Sequence, residues 1–154
     1  MELKIKVIDR KSEHVAASLK TLLADEYVLS MRTREAYRYI YGSNFTELRK
    51  LFEAQYKSMD IIVGDVSQRV RALGQIALAT IENSIEATRL RQHNEKFKGQ
   101  YPIIEALLDD HETMIRELRG ESVADEKADI STTEFMAGLL RQHIEMARVL
   151  RGWL

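Results

Sequence analysis

Carboxylates and histidines are the residues of this chain that could do chemistry, because together they supply oxygen and imidazole ligands for a metal ion. They lie closest together in the run Asp109–Asp110–His111–Glu112. Consecutive residues of a helix point in different directions, so we do not expect this run to form a single metal site. The same argument applies to Asp25–Glu26 and to Glu35.

The four histidines divide into two pairs by their surroundings in the sequence. His14 and His93 lie among polar residues, and we expect both to be exposed to solvent. His111 and His143 lie on or beside apolar helical stripes. That position favours buried, hydrogen-bonded side chains over metal ligands.

The composition excludes several other classes of site. The chain contains no cysteine, which removes disulfides, thiolate metal ligands and cysteine nucleophiles. It has no glycine-rich phosphate loop and no recognisable Ser/His/Asp spacing. A net charge of −1 does not indicate a nucleic-acid partner. The charged amino terminus does not resemble a secretory signal, and no apolar run of about 18 residues could span a membrane, so we expect a cytoplasmic protein.

Apolar residues recur every three or four positions in four long segments, which predicts four helices in one domain spanning residues 1–154. The first helix begins after Asp9 and ends before Gly42. The second opens on a predicted capping box, Asn44 with Glu47. Its apolar stripe is the clearest in the chain and consists of Phe45, Leu48, Phe52, Met59, Ile62, Val66, Val70 and Leu73.

The remaining two long helices carry their own start signals. Pro102 suits the first turn of the third helix, which we expect to end at Gly120. A capping box of Ser131 with Glu134 opens the fourth.

The connections between the helices predict the topology. The first two helices meet across a very short turn and must be antiparallel neighbours. Residues 75–101 then cross the bundle and include a helical segment near 76–89, with Ile81 and Ile85 as its apolar side. The predicted fold class is all-α: a ferritin-like four-helix bundle with a short helix in the long crossover between helices two and three.

The sequence of the chain resembles the Dps family of mini-ferritins, the DNA-binding proteins from starved cells. The resemblance rests on the Gly42–Ser43–Asn44–Phe45 turn, on RALG at 71–74, on LLDDHETMIREL at 107–118 and on MARVLRGWL at 146–154. It covers nearly the whole chain and includes the crossover helix. It implies a hollow homo-dodecamer that takes up iron or other divalent cations and protects against peroxide chemistry.

The resemblance also places an iron-oxidising site between two subunits, with its ligands on the first two helices. Those ligand positions fall on Tyr37, Arg49, Glu53, Gly64 and Gln68. Only Glu53 keeps a metal-binding carboxylate, and Arg49 is a fixed cation that would repel iron. No Glu-x-x-His pair, the ligand pattern of bundle ferritins, occurs on the second or fourth helix. We therefore expect ferroxidase activity to be absent or impaired.

Two packing arrangements would explain these replacements. Arg49 and Glu53 are four residues apart and would pair on one helix face. Tyr37 of one subunit would fill the space that Gly64 leaves in its partner. Both are predictions about a metal cavity that has become a packed interface.

A second cation site follows from the resemblance, because the family lines its threefold pores with carboxylates at the start of the last helix. Asp129 and Glu134 match those positions, and we predict that with Glu53 they are the metal-contacting residues. Iron would then lie in the pore or in the interior. A solvated acidic loop explains the carboxylates of residues 121–134 about equally well.

Two main functions remain open at this point. The first is a Dps-like cage that sequesters iron and protects against oxidative stress without the family's ferroxidase centre. The alternative is a non-catalytic cage or a DNA-binding nucleoid scaffold; a third reading relocates the metal site to carboxylates elsewhere. The basic amino terminus is short and partly neutralised by Glu2 and Asp9, so we expect at most weak DNA binding.

Overall fold

The computed structural model describes residues 10–77, 80–93, 99–124 and 129–154. The described chain forms five helices: α1 (Arg10–Tyr39), α2 (Phe45–Ala72), α3 (Ile81–Ala87), α4 (Gln100–Ala124) and α5 (Ile130–Arg151). No strand occurs in these ranges. The predicted all-α bundle with a short helix in its long crossover is confirmed. No helix in the described part of the chain combines the length and apolarity needed to cross a membrane.

Helices α1 and α2 form the predicted antiparallel hairpin. Lys20, early in α1, donates to Gln75 just beyond α2 at 3.4 Å, whereas Arg34, late in α1, pairs with Asp60 at 2.6 Å. The turn between the helices contains Gly42 with φ of 126°. A Cβ atom at Gly42 would lie 3.0 Å from Oε1 of Gln100, so both the backbone conformation and the start of α4 require glycine here.

The capping residues differ from the prediction at two helices. Asn44 precedes α2 but makes no capping hydrogen bond with its side chain, so the Asn44–Glu47 capping box is not formed. Helix α5 begins one residue before Ser131, and its cap is Asp129, whose side chain accepts a hydrogen bond from the Thr132 amide at 2.7 Å. The Asp9 cap predicted for α1 lies outside the described residues.

Helix α4 is longer than predicted. It begins at Gln100, which places Pro102 in its first turn, but it continues through Gly120 to Ala124. A glycine inside a helix costs only about 1 kcal/mol, which neighbouring contacts can outweigh. Glu121, in the added turn, is held by Arg89 of the crossover at 2.8 Å.

The crossover carries α3 back against α1. Thr80 caps this short helix by accepting a hydrogen bond from the Asn83 amide at 3.2 Å. The buried residue of α3 is Ser84, while Ile81 and Ile85 are each 57% exposed in the single chain. The predicted apolar side of α3 therefore faces away from the subunit's own core.

The core lies between the four long helices and confirms the apolar stripe predicted for α2, except at its ends. Phe45 is exposed and Leu73 is only partly buried. Ile40 is buried in the core, whereas its neighbours Tyr39 and Tyr41 are exposed. The largest fully buried side chains are Phe52, Leu19, Leu22, Leu29, Leu48, Met59, Ile62, Ile104, Met114, Leu118, Met136 and Leu150.

Candidate metal-handling sites

Glu53, the one carboxylate retained at the predicted intersubunit site, is engaged by a lysine. Its Oε1 accepts a hydrogen bond from Nζ of Lys57 at 2.6 Å. This hydrogen bond lowers the pKa of Glu53, and Arg49 contributes a smaller effect in the same direction. The predicted pairing of Glu53 with Arg49 is therefore wrong. Lys57 lies on the carboxyl-terminal side of the glutamate, which is the favoured orientation for a pair four residues apart.

Arg49 instead stacks on an aromatic side chain of α1. Its guanidinium carbon lies 4.5 Å from the centre of the Tyr37 ring. Tyr37 meets Tyr56 edge to face with ring centres 5.7 Å apart, and Arg34 lies 4.5 Å above Tyr56. Cation–π contacts of this kind fix both partners. The face that would hold iron thus presents two tyrosine rings that meet edge to face, each covered by an arginine.

Gly64 and Gln68 complete the set of predicted ligand positions, and both are exposed on α2. Apart from the neighbouring residues and backbone of α2 itself, nothing in the described subunit lies within 4 Å of the place where a Cβ atom of Gly64 would be. The single subunit therefore gives no reason for a glycine, which costs a helix about 1 kcal/mol relative to alanine. The packing of Tyr37 against Gly64 of a partner subunit stays a prediction.

The predicted pore carboxylates lie at the start of α5. Asp129 uses one oxygen to cap the helix, and its hydrogen bonds with Thr132 lower the pKa of the carboxyl. Glu134 is exposed one turn further on. Glu121 does not belong to a solvated loop, because its side chain is mostly buried against Arg89. Asp125 and Glu126 lie outside the described residues, and the pore role of Asp129 and Glu134 stays a prediction.

A row of three buried polar side chains crosses the core. Nε2 of His143 lies 2.5 Å from Oε1 of Glu26, and Nδ1 of His143 lies 2.9 Å from Nδ1 of His111. All three residues are fully buried, which confirms the prediction of buried, hydrogen-bonded histidines. Burial, aided by the neighbouring His143, lowers the pKa of His111 well below its ordinary value, so His111 is neutral. Asp25 points elsewhere, to Arg89, as expected for consecutive residues of a helix.

His93 is not the solvent-exposed side chain that the sequence predicted. It lies just after α3 with 20% of its side chain exposed, and its Nε2 is 2.9 Å from Oδ1 of Asp110. The same nitrogen lies 3.8 Å from Oδ2 of Asp109. One ligand atom from each of these three residues lies within 4.8 Å of the others. Of the residues that the structure describes, only these three converge in this way.

This cluster was not predicted from the sequence, because there the two aspartates lie only beside their neighbours on α4. Consecutive helical residues diverge, but a third residue from another element can meet both of them at their edge. His93 does so from the crossover, 16 positions before Asp109. One feature of the sequence could have indicated the cluster: His93 lies in a connection that must return to α4.

A cavity of about 580 Å³ adjoins the cluster. It lies between α1, α3 and α4, and both His93 and Asp110 line it. Its walls also include Arg32 and Glu35 of α1 and the exposed isoleucines of α3. Arg32 holds Oδ1 of Asp110 at 2.8 Å, while burial raises the pKa of Asp110 against the effects of Arg32 and His93.

Comparisons with known proteins agree with this architecture. The sequence model of the ferritin-like domain family matches residues 16–154. An uncharacterized low temperature-induced protein of Nostoc is 29% identical over 97% of this chain and 85% of its own length. DNA protection during starvation protein 2 of Bacillus anthracis is 25% identical over 93% of this chain and 98% of its own.

A solved structure extends the agreement to three dimensions. The Dps protein of Vibrio cholerae, described as a member of a broad superfamily of ferritin-like diiron-carboxylate proteins, has a TM-score of 0.85. It is 23% identical, and the alignment covers 93% of this chain and 90% of that protein. The chain is similar in sequence and fold to Dps proteins, and it belongs to the ferritin-like domain family.

Proposed function

We propose that this chain forms a hollow cytoplasmic dodecamer that sequesters iron and protects against oxidative stress, without the ferroxidase centre of its family. The family and fold support the cage and its role in iron handling. The absence of the centre is supported by one observation above all: the sole remaining carboxylate, Glu53, is bound by Lys57 and flanked by Arg49.

Iron at this position would meet too few ligands and too much positive charge. A ferrous ion needs several carboxylates or imidazoles at about 2 Å. Arg49 cannot lose its proton, and it is fixed over Tyr37 rather than free to swing away. Binding of iron is weakened both by the low ligand count and by repulsion.

The pore is the proposed route for cations into the cage. One oxygen of Asp129 caps α5, and Glu134 is exposed. In the proposed assembly, the second oxygen of Asp129 and the carboxylate of Glu134 would face a threefold axis. Three copies of each carboxylate would concentrate cations there. Iron would then be oxidised slowly by dissolved oxidant in the interior rather than at a dedicated site.

Iron retention tests this function directly. The purified assembly is incubated with ferrous iron in air, passed through a chelating column and analysed for iron. We expect iron to remain with the assembled species, and Asp129→Asn combined with Glu134→Gln to slow its uptake without altering assembly. Glu47→Gln combined with Glu105→Gln, which removes exposed carboxylates away from α5, is the matched control. An assembly that retains no iron would contradict the proposal.

The cations at the ferroxidase position favour a second candidate, a non-catalytic cage or nucleoid scaffold. Such a cage would retain little iron but could bind DNA through many weak contacts. Of the basic residues of the amino terminus that would make them, Lys4 and Lys6 lie outside the described residues, whereas Arg10 and Lys11 form the start of α1. Iron content and a DNA mobility shift, measured on the same preparation at stated salt, separate the two candidates.

A further inference from the structure

We propose that His93, Asp109 and Asp110 form a binding site for a divalent first-row transition ion, such as Zn²⁺, Co²⁺ or Fe²⁺. The site lies within one subunit, between the crossover and α4, apart from the intersubunit and pore positions. It goes beyond the function proposed above, because it would bind a metal whether or not the cage stores iron.

Convergence from two separate elements is the first argument. His93 comes from the crossover, and the two aspartates come from α4. Ligand atoms of the three residues already lie within 4.8 Å of one another. A metal with ligands at about 2.0–2.2 Å holds neighbouring ligand atoms about 3 Å apart, so small side-chain movements complete the site.

Unpartnered buried oxygens are the second argument. Only 1% of the Asp110 side chain is exposed, and its Oδ1 is occupied by Arg32 and His93. Its Oδ2 is buried without a hydrogen-bond partner, and so is Oδ2 of Asp109. Buried carboxylate oxygens are normally paired, because desolvation without a partner is unfavourable. A cation bound by the cluster would supply such an oxygen with a partner.

The charges and ligand types indicate which cation would bind. Arg32 offsets one of the two aspartate charges and fixes Asp110 from behind, as an outer-shell partner does. A negative charge therefore remains for a divalent ion. An imidazole ligand favours transition ions over Mg²⁺ and Ca²⁺, which prefer oxygen ligands throughout.

Metal binding requires one rearrangement of protons. Nε2 of His93 now shares a hydrogen with Oδ1 of Asp110. As a ligand, this nitrogen presents its lone pair to the metal, and the ring carries its hydrogen on Nδ1 instead. The adjoining cavity gives the ion a path to the cluster and leaves open positions for water.

Cobalt titration of the full assembled chain tests the site. Co²⁺ binding is followed by its ligand-field absorption, and Zn²⁺ binding by calorimetry. We expect His93→Gln and Asp109→Asn each to weaken binding at this site by at least about tenfold. His14→Gln, which removes an exposed histidine from α1, is the matched control and should bind as the wild type does.

Two further measurements keep the test decisive. Circular dichroism and sedimentation in chelator establish that each variant folds and assembles. Asp129→Asn combined with Glu134→Gln removes the pore carboxylates, and this background should keep the absorption band that His93→Gln removes. The proposal is overturned if the wild type binds no cobalt, if His93→Gln and Asp109→Asn leave the affinity unchanged, or if the pore variant abolishes the band.

Discussion

Glu53 lies between two cations on α2, with Arg49 one turn before it and Lys57 one turn after it. The glutamate pairs with Lys57, and Arg49 stacks on Tyr37. A carboxylate in this setting is a poor iron ligand. The residues around Glu53, rather than Glu53 itself, therefore limit iron binding at this position.

Restoring the ligands should restore the chemistry if the scaffold is intact. The variant carries Tyr37→His, Arg49→His, Glu53→Asp, Gly64→Asp and Gln68→Glu. We expect a fast, saturable phase of ferrous iron oxidation that the wild type lacks. Absorbance in the presence of peroxide measures this oxidation. The same set with Arg49 retained is the control and should stay slow, because the fixed cation still opposes iron. A restored variant that assembles yet shows no fast phase would count against the assignment of these positions.

The buried row of Glu26, His143 and His111 should contribute strongly to stability. Glu26→Ala leaves His143 without its carboxylate in a fully buried position. Breaking a buried pair by removing one partner costs about 3–5 kcal/mol, so we expect a loss of that order in urea unfolding. Glu105→Ala, at an exposed position of the same bundle, should change stability by less than about 0.5 kcal/mol. Equal effects of the two substitutions would show that the row is not stabilising.

Residue types could be predicted from the sequence better than residue contacts. The burial of His111 and His143 follows from their position on apolar stripes. The partner of Glu53 was ambiguous, because Arg49 and Lys57 both lie four residues away; the preferred order of glutamate before lysine could have resolved it. His93 could not have been placed, since its contact with Asp110 depends on how the crossover returns to α4.

Asp129 combines two roles that one pair of substitutions can separate. Asp129→Ala removes the cap of α5 and should destabilise the fold by about 1 kcal/mol. Asp129→Asn keeps an oxygen acceptor for the Thr132 amide and should cost much less, while it still removes the charge proposed for the pore. Urea unfolding of both variants measures the difference. Equal destabilisation would mean that the charge, not the hydrogen bond, supports the helix.

The cap should also have a defined pH dependence. Its hydrogen bonds lower the pKa of Asp129 in the folded protein. The stabilisation is therefore present above the ordinary aspartate pKa and is lost as pH falls through the lowered value. Comparing the wild type with Asp129→Asn between neutral and acidic pH isolates this contribution. If the stability advantage of the wild type over Asp129→Asn grew as pH falls, the result would contradict this assignment.

Two glycines should respond oppositely to alanine. Gly42→Ala forces a side chain into a backbone with φ of 126° and towards Gln100, so we expect a loss of about 1–3 kcal/mol. Gly120→Ala places a methyl group where nothing in the described structure lies within 4 Å, inside a helix. It should stabilise by up to about 1 kcal/mol. Thermal unfolding of both variants checks the pair, and a stabilising Gly42→Ala would refute the turn argument.

Helix existence and order could be predicted from periodicity, but helix ends could not. Gly120 looked like a stop, yet α4 continues because Arg89 holds Glu121 in the next turn. Asn44 looked like a side-chain cap and makes no such hydrogen bond. At α3, Ile81 and Ile85 gave the right periodicity but face the cavity rather than the subunit core. At α4, a tertiary contact that is absent from the local sequence decides where the helix ends.

The whole molecule should be an assembly, because its surface retains large apolar side chains that the bundle does not cover. Ile61 on α2 is 67% exposed, and Tyr39, Tyr41 and Phe45 are exposed near the α1–α2 turn. Ile61 is three residues from Gly64 on the predicted subunit interface. We expect Ile61→Lys to dissociate the dodecamer into smaller species and Ile61→Val to leave it intact. Sedimentation measures both, and a wild type that sediments as a stable 17.8 kDa monomer would refute the cage.

Stopped-flow oxidation of ferrous iron tests whether the proposed cage lacks the ferroxidase centre that the Dps resemblance implies. The wild-type assembly and Glu53→Ala are mixed with ferrous iron in air and in peroxide, at increasing ratios of iron to subunit. We expect slow oxidation without saturation and identical traces for the two proteins. A fast phase in the wild type that saturates at two irons per intersubunit site and disappears in Glu53→Ala would contradict it.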